Sequence, residues 1–323
     1  APNPTSPETQ AVRPAGPIAR LFEKIGGTTQ VPFRIVFADG SEFRQGAADP
    51  AFTLAFRSRA AQWRVLRDGH IGFLEGYFDG GIDIDGDLAL VFRAGMDAGL
   101  DARPRRLVRL RNRWLERRAS NRTIAQAKAN ARFHYGLGEP FYRQWLDLPS
   151  MMYTCAYWSE GTKTLEEAQR NKMDHVCRKV RLAAGETFVD VGTGFGGLLF
   201  HAWERYGALG TGINATTEQV EALRAEIARR NLADKLRVVE CDFREMPGQY
   251  DKLLSIGTLE HAGRDQLPEV IRAHADALRP GGLGVIHFIG HVGVRDTEYF
   301  IRRHVFPGGW IPSLAEAIDQ APA

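Results

Sequence analysis

A strand that runs straight into a cluster of glycines constrains a chain more than composition does. Here Phe188-Val189-Asp190-Val191 runs into Gly192-Thr193-Gly194-Phe195-Gly196-Gly197, and the apolar Leu198-Leu199-Phe200 follows. Glycine takes positive φ without a Cβ penalty and lets a ligand approach the backbone. A D-x-G-x-G-x-G turn after a strand therefore predicts a βα unit with its carboxyl edge open to a ligand. The pattern then repeats. Gly210–Ile213 reads as a second strand and Glu218–Asn231 as a helix with Val220, Leu223 and Ile227 on one face. Leu236–Glu240, Lys252–Ile256 and Leu283–Phe288 read as third, fourth and fifth strands. Such alternation predicts an α/β fold, a doubly wound, Rossmann-like parallel sheet with right-handed crossovers.

Polar residues recur where each strand should end. Asp190, Gly192 and Gly194 lie at the first turn; Asn214 and Gln219 follow the second strand, within reach of a ribose. Asp242-Phe243 follows the third, offering a polar contact to an adenine amino group and an apolar lid on its ring. Ile256 ends the fourth and can pack on the opposite face. The turn alone is weak evidence, since a packing turn has the same form; the ordered series reads as a site for S-adenosylmethionine. Beyond the fourth strand lies Glu260-His261, either an acid favoured by a helix N-terminus or a reacting group at the sheet edge. His287 ends the fifth strand, as a core histidine or part of the same site.

The rest of the chain carries other signals. Residues 1–18 are rich in Pro, Ser and Thr without apolar period and read as a flexible lead-in. Residues 19–100 predict a small α+β domain: Val31, Phe33, Ile35 and Phe37 have strand period, and Asp39-Gly40 turns into Glu42-Phe43-Arg44. Residues 101–130 read as an arginine-rich linker helix. There Arg103, Arg105, Arg106, Arg109, Arg111, Arg113, Arg117, Arg118 and Arg122 face only Asp101 and Glu116. Leu107, Leu110 and Trp114 align on one stripe. The segment is a solvated linker or a cationic amphipathic helix that docks on anionic headgroups, with Arg105, Arg106 and Arg109 as the membrane contact. The whole chain of 323 residues carries 42 Lys+Arg against 39 Asp+Glu, a net charge of +3. This argues against a nucleic-acid partner. The 3 cysteines, Cys155, Cys177 and Cys241, are odd in number and far apart, so neither disulfides nor a metal site is expected and a reducing cytoplasm is. No apolar run is long enough to span a bilayer.

Several segments now combine. Tyr153-Thr154-Cys155-Ala156-Tyr157-Trp158, Leu165-Glu166-Glu167-Ala168-Gln169, Lys172, the glycine turn, Glu218-Gln219, Ser255-Ile256-Gly257, Glu260-His261 and Phe306-Pro307-Gly308-Gly309 appear in one order. The series resembles the cyclopropane-fatty-acyl-phospholipid synthase family, S-adenosylmethionine-dependent enzymes acting on unsaturated acyl chains. The resemblance runs from about Leu21 to the end. It implies a methyltransferase domain over residues 131–323 and a lipid-engaging front domain. It further implies that Tyr153, Thr154, Gly192, Gly194, Gln219, Asp242, Phe243 and Ile256 surround the cofactor. Cys155, Glu260, His287 and Ile289 correspond to positions that hold a bicarbonate ion, the catalytic base. The implied substrate is a membrane phospholipid with an unsaturated acyl chain and the implied location the inner face of the membrane; the assembly is left open, a homodimer among its forms.

The sequence departs from the family in places. Thr193 and Phe195 stand where Cys and Trp are usual, Gly136 where Asp is usual, and Thr258-Leu259 where Met-Phe is common. The family also continues for several dozen residues past the position of Ala323, with two further strands and a tyrosine of the bicarbonate site. Three other functions stay open: a methyltransferase giving methylene- or methyl-branched chains, a small-molecule N-methyltransferase, and an inactive lipid-binding partner subunit.

Overall fold

The computed structural model describes residues 16–99, 110, 114, 117–293 and 297–321. The chain forms two compact units, Ala1–Arg113 and Trp114–Ala323.

In the first unit, α1 (Pro17–Gly26) precedes β1 (Phe33–Val36), β2 (Glu42–Gln45) and β3 (Phe52–Phe56). Then follow α2 (Arg59–Asp68), α3 (His70–Phe78), β4 (Ile82–Gly86) and α4 (Leu88–Asp97). The four strands pair in the order β2-β1-β3-β4. Alternation decides which face is buried: Phe33 and Ile35 of β1 and Phe52, Leu54 and Phe56 of β3 point into the core. The expected turn is present, with Gly40 at φ 82° and the Asp39 carboxylate accepting from the Ser41 amide at 3.0 Å. Glycines that punctuate residues 69–81 serve a different end. Gly72, inside α3, lies so close to α2 that an added Cβ would stand 2.2 Å from the Arg64 carbonyl oxygen.

In the second unit the helices are α5 (Ile124–Tyr135), α6 (Glu139–Tyr142), α7 (Leu165–Lys179), α8 (Gly197–Tyr206), α9 (Thr217–Arg229), α10 (Leu267–Asp276) and α11 (Leu314–Ile318). The strands are β5 (Thr187–Val191), β6 (Leu209–Asn214), β7 (Leu236–Glu240), β8 (Tyr250–Ile256) and β9 (Leu278–His287). All five pair in parallel, in the order β7-β6-β5-β8-β9. Parallel strands are covered on both faces, which is why apolar residues fall on both faces of β5 and β8. Phe188, Leu254 and Ile256 pack with α7, α8 and α9, whereas Val189, Val191, Ile213 and Leu253 form a cluster of their own. The strand order reverses between β5 and β8, and such a switch point opens a crevice beyond the strand ends.

Two expectations need correction. The second unit takes in residues from Trp114 onward, not from 131. Arg122 is no part of a linker helix: the chain leaves helix after Arg118 and starts α5 afresh at Ile124, with Thr123 Oγ1 accepting from the Gln126 amide at 3.2 Å. Arg122 instead pairs with Asp265 at 2.7 Å. Arg105, Arg106 and Arg109 lie outside the described residues.

The α2–α3 contact yields a prediction. Gly72→Ala is expected to destabilise the protein by about 1–3 kcal/mol, because backbone rather than a pliant side chain opposes the new methyl. Unchanged chemical denaturation would show that the two helices do not approach so closely.

Candidate active site

The site begins where β5 ends. Gly192 and Gly194 take φ of 73° and 55°, values that favour glycine. A Cβ on Gly194 would meet nothing within 4 Å, so the backbone there borders open space. Gly197 serves packing, because its Cβ would come 2.3 Å from the Ser150 carbonyl oxygen. A cavity of about 150 Å³ lies beside this turn. Its lining contains all ten residues expected around the cofactor: Tyr153, Thr154, Asp190, Gly192, Gly194, Asn214, Gln219, Asp242, Phe243 and Ile256.

Their chemistry suits a nucleoside with a charged tail. Asn214 Nδ2 donates to Gln219 Oε1 at 2.9 Å, and Thr216 Oγ1 donates to the same oxygen at 2.7 Å. This fixes the Gln219 amide with its donor end unspent in those bonds. Asp242 is not the free acceptor expected, because Arg244 Nε and Nη2 donate to its two oxygens at 2.7 and 2.9 Å. Oδ1 also accepts from the Arg244 amide at 3.0 Å, so the lone pair left for a ligand is on Oδ2. Asp190 is buried, its Oδ2 has no hydrogen-bond partner, and burial pushes its pKa up to about 6 against the influence of Thr193 and Lys172. A buried acceptor without a donor beside an open glycine turn fits a ligand that brings donors.

The four residues expected around bicarbonate do not line this cavity. Glu260 is buried, and the Ile289 amide donates to its Oε1 at 2.6 Å. Its Oε2 has no partner, and burial raises its pKa. His287 ends β9, where its carbonyl accepts from the Gly257 amide at 2.9 Å. Its ring Nδ1 also lacks a partner, and burial lowers its pKa. Cys155 is exposed.

Several positions with no site role expected from the sequence bear on the cavity. Lys172 of α7, buried, donates from Nζ to Thr154 Oγ1 at 2.5 Å. Burial brings its pKa down to about 8, opposed by Asp147, Asp190 and Cys155. One turn earlier, Gln169 Nε2 donates to the Met152 and Thr154 carbonyls at 3.2 and 2.9 Å. These two side chains hold the Met152–Cys155 loop on the cavity wall. Asn121 and Asn130 also line the cavity; Asn130 Nδ2 donates to Asn121 Oδ1 at 2.6 Å, and Asn121 Nδ2 to the His261 carbonyl at 2.6 Å. The Thr123-x-x-Gln126 pattern, a helix start signal, could have separated this stretch from the arginine segment.

A parallel sheet with an open glycine turn and amides beyond β6 fits a nucleoside cofactor of the S-adenosylmethionine class. The chain belongs to the mycolic acid cyclopropane synthetase family, whose model matches residues 122–322, and it is an S-adenosylmethionine-dependent methyltransferase. Residues 21–98 match a domain of unknown function. A probable fatty acid methyltransferase of Pseudomonas putida is 32% identical over 300 residues, covering 88% of this chain and 72% of that protein. The tuberculostearic acid methyltransferase UfaA1 of Mycobacterium tuberculosis is 30% identical over 328 residues, covering 95% of this chain and 76% of its own. The cyclopropane-fatty-acyl-phospholipid synthase of Escherichia coli is 28% identical over 257 residues, covering 78% of this chain and 65% of its own. Among solved structures, the mycolic acid cyclopropane synthase CmaA1 complexed with SAH and CTAB is 28% identical with a TM-score of 0.55. That match covers 60% of this chain and 72% of that one.

Asp190 generates a pH prediction. Its folded-state pKa of about 6 lies above the ordinary value of 3.8, so the buried charge opposes folding above about pH 6 and ceases to do so as pH falls toward 4. Asp190→Asn should therefore gain stability relative to the parent at pH 7, and the gain should shrink on acidification to pH 4. Chemical denaturation across that range checks it; a difference independent of pH contradicts the assigned burial.

Proposed function

We propose that the enzyme transfers the methyl carbon of S-adenosylmethionine to the double bond of an unsaturated phospholipid acyl chain and closes a cyclopropane ring. An alkene carries no acidic proton, so attack on the methyl group needs no general base. It leaves a carbocation on the chain, which water would capture, so the reacting centre must be dry. Ring closure then needs a small base to remove a proton from the new methyl group. S-adenosylmethionine, when bound, supplies the electrophilic methyl carbon, and bicarbonate would supply the base.

The observation that carries the second part is a pair of unsatisfied polar atoms. Glu260 Oε2 and His287 Nδ1 are both buried without a hydrogen-bond partner, and buried polar groups are normally satisfied. A small oxyanion that both donates and accepts would satisfy them. Glu260, its Oε1 held by the Ile289 amide, and His287 leave Oε2 and Nδ1 for such an ion. The Glu260 and His287 side chains thus orient the ion, the Lys172–Thr154 contact steadies the loop bearing Cys155, and the ten cavity residues hold the cofactor.

A branched product is the second reading. Of the positions that depart from the family pattern, Thr193, Phe195 and Thr258 line the cavity. The Pseudomonas putida and UfaA1 relatives carry the name methyltransferase rather than cyclopropane synthase. Incubation with labelled S-adenosylmethionine and monounsaturated phospholipid vesicles, followed by NMR of the extracted chain, decides between the products. Ring methylene signals are expected; vinylidene or methyl-branch signals would replace the ring by the second reading, and no label in the lipid would refute both. Glu260→Gln should leave cofactor affinity within about twofold and lower turnover by about 100-fold or more. A loss confined to cofactor affinity would contradict its role.

A peripheral membrane location belongs to the same proposal. Among the described residues no helix is long and apolar enough to cross a membrane. Leu110 and Trp114 are helical and exposed, 61% and 53%, beside the arginines. Reversing the charge at Arg105, Arg106 and Arg109 together should weaken binding to anionic vesicles by at least tenfold at low salt, since each basic residue contributes about 1 kcal/mol there. Sedimentation that is insensitive both to the substitutions and to salt would exclude this contact.

A further inference from the structure

One buried polar chain has no part in the reaction so far. His274 of α10, only 3% exposed, lies with Nδ1 at 2.7 Å from the Val270 carbonyl oxygen and Nε2 at 2.9 Å from Ser255 Oγ. Ser255 Oγ lies 2.6 Å from Thr258 Oγ1, and Thr258 lines the cavity. The Thr258 methyl is fixed as well: a Cβ on Gly192 would stand 2.8 Å from Thr258 Cγ2.

The direction of each bond follows from the end that cannot reverse. A carbonyl only accepts, so His274 Nδ1 carries the proton and Nε2 of the neutral ring accepts. Burial holds the His274 pKa down to about 4, which keeps the ring neutral near pH 7. Ser255 therefore gives its single hydroxyl proton to His274 and can only accept from Thr258. The Thr258 proton goes to Ser255 at 2.6 Å in preference to the Val191 carbonyl at 3.5 Å. Lone pairs alone remain on Thr258 Oγ1 for the cavity.

We infer that the His274–Ser255–Thr258 relay makes Thr258 Oγ1 an acceptor-only oxygen of the cofactor cavity, where it recognises a hydrogen-bond donor of S-adenosylmethionine or its positively polarised sulfonium methyl. Thr258 is a cofactor-recognising residue, and Ser255 and His274 are positioning residues that act through it. The inference rests on the proposal that the cofactor occupies this cavity.

Calorimetric titration of the full chain with S-adenosylmethionine, S-adenosylhomocysteine and methylthioadenosine tests it. Thr258→Val keeps the shape and removes the acceptor; it should weaken S-adenosylmethionine binding by about three- to tenfold, the range of a single hydrogen bond. Thr258→Ser should restore it. A loss confined to S-adenosylmethionine assigns the sulfonium. A loss shared with S-adenosylhomocysteine alone assigns the amino-acid tail, and a loss shared by all three ligands the nucleoside. Ser255→Ala, which leaves Thr258 in place but breaks the relay, should weaken binding in the same pattern, and the double variant should lose less than the sum of the singles. The Ser255→Ala result stands on its own if Thr258→Val does not fold. Parent-like affinity of Thr258→Val or of Ser255→Ala for all three ligands, or equal weakness of Thr258→Ser and Thr258→Val, overturns the inference alone. A folded parent that binds none of the three overturns the cofactor proposal with it.

Discussion

Everything near the cavity is organised by the end of β5, where a buried carboxylate meets a backbone that must turn with positive φ. Asp190 is desolvated enough to raise its pKa to about 6, and the next residues but one, Gly192 and Gly194, hold φ values that side chains resist. Burying such a group without a donor is unfavourable by itself. The arrangement persists because β6 and β8 pair on either side of β5 and fix its register. A ligand that supplies donors would recover part of the cost, which links the stability of the fold to occupation of the site.

Around that point the cavity wall is built by contacts distant in sequence. Lys172 and Gln169 of α7 hold the Met152–Cys155 loop, Arg244 clamps Asp242, and Asn130 and Asn121 tie the approach to α5 to the loop after β8. Glu260, the carboxylate proposed to hold the base, does not line the cavity, and its Oε1 accepts from the Ile289 amide. This separation suits a reaction in which the methyl donor and the final base act at successive steps on one carbon.

Much of this was legible in the sequence, for definite reasons. Both faces of β5 and β8 are largely buried, so apolar residues dominate Phe188–Val191 and Leu253–Ile256, and the glycine turn between β5 and α8 declares itself. Most of the expected cofactor positions that line the cavity lie at or just past the ends of β5, β6, β7 and β8, whereas Tyr153 and Thr154 sit in a loop and came from the family resemblance. The start of β9 was not legible: the sequence pattern begins the fifth strand at Leu283, whereas the strand runs from Leu278 with a register irregularity opposite Tyr250 and Lys252. In the front unit Asp39-Gly40 announced its hairpin, but the glycines of α3 concealed a helix whose purpose is close packing. His274 and Thr258 lie on different elements, so no spacing rule could join them. The arginine segment hid Asn121 because its charge dominated the pattern.

The central claim is that the nucleoside cofactor occupies the cavity at the carboxyl end of β5. A crystal structure of the chain with S-adenosylhomocysteine tests it most directly. The account predicts the adenine between Phe243 and Ile256, the ribose at Gln219 and the amino-acid tail along Gly192–Gly194. Ligand density anywhere else, or a cavity closed by its own side chains at saturating ligand, would contradict it.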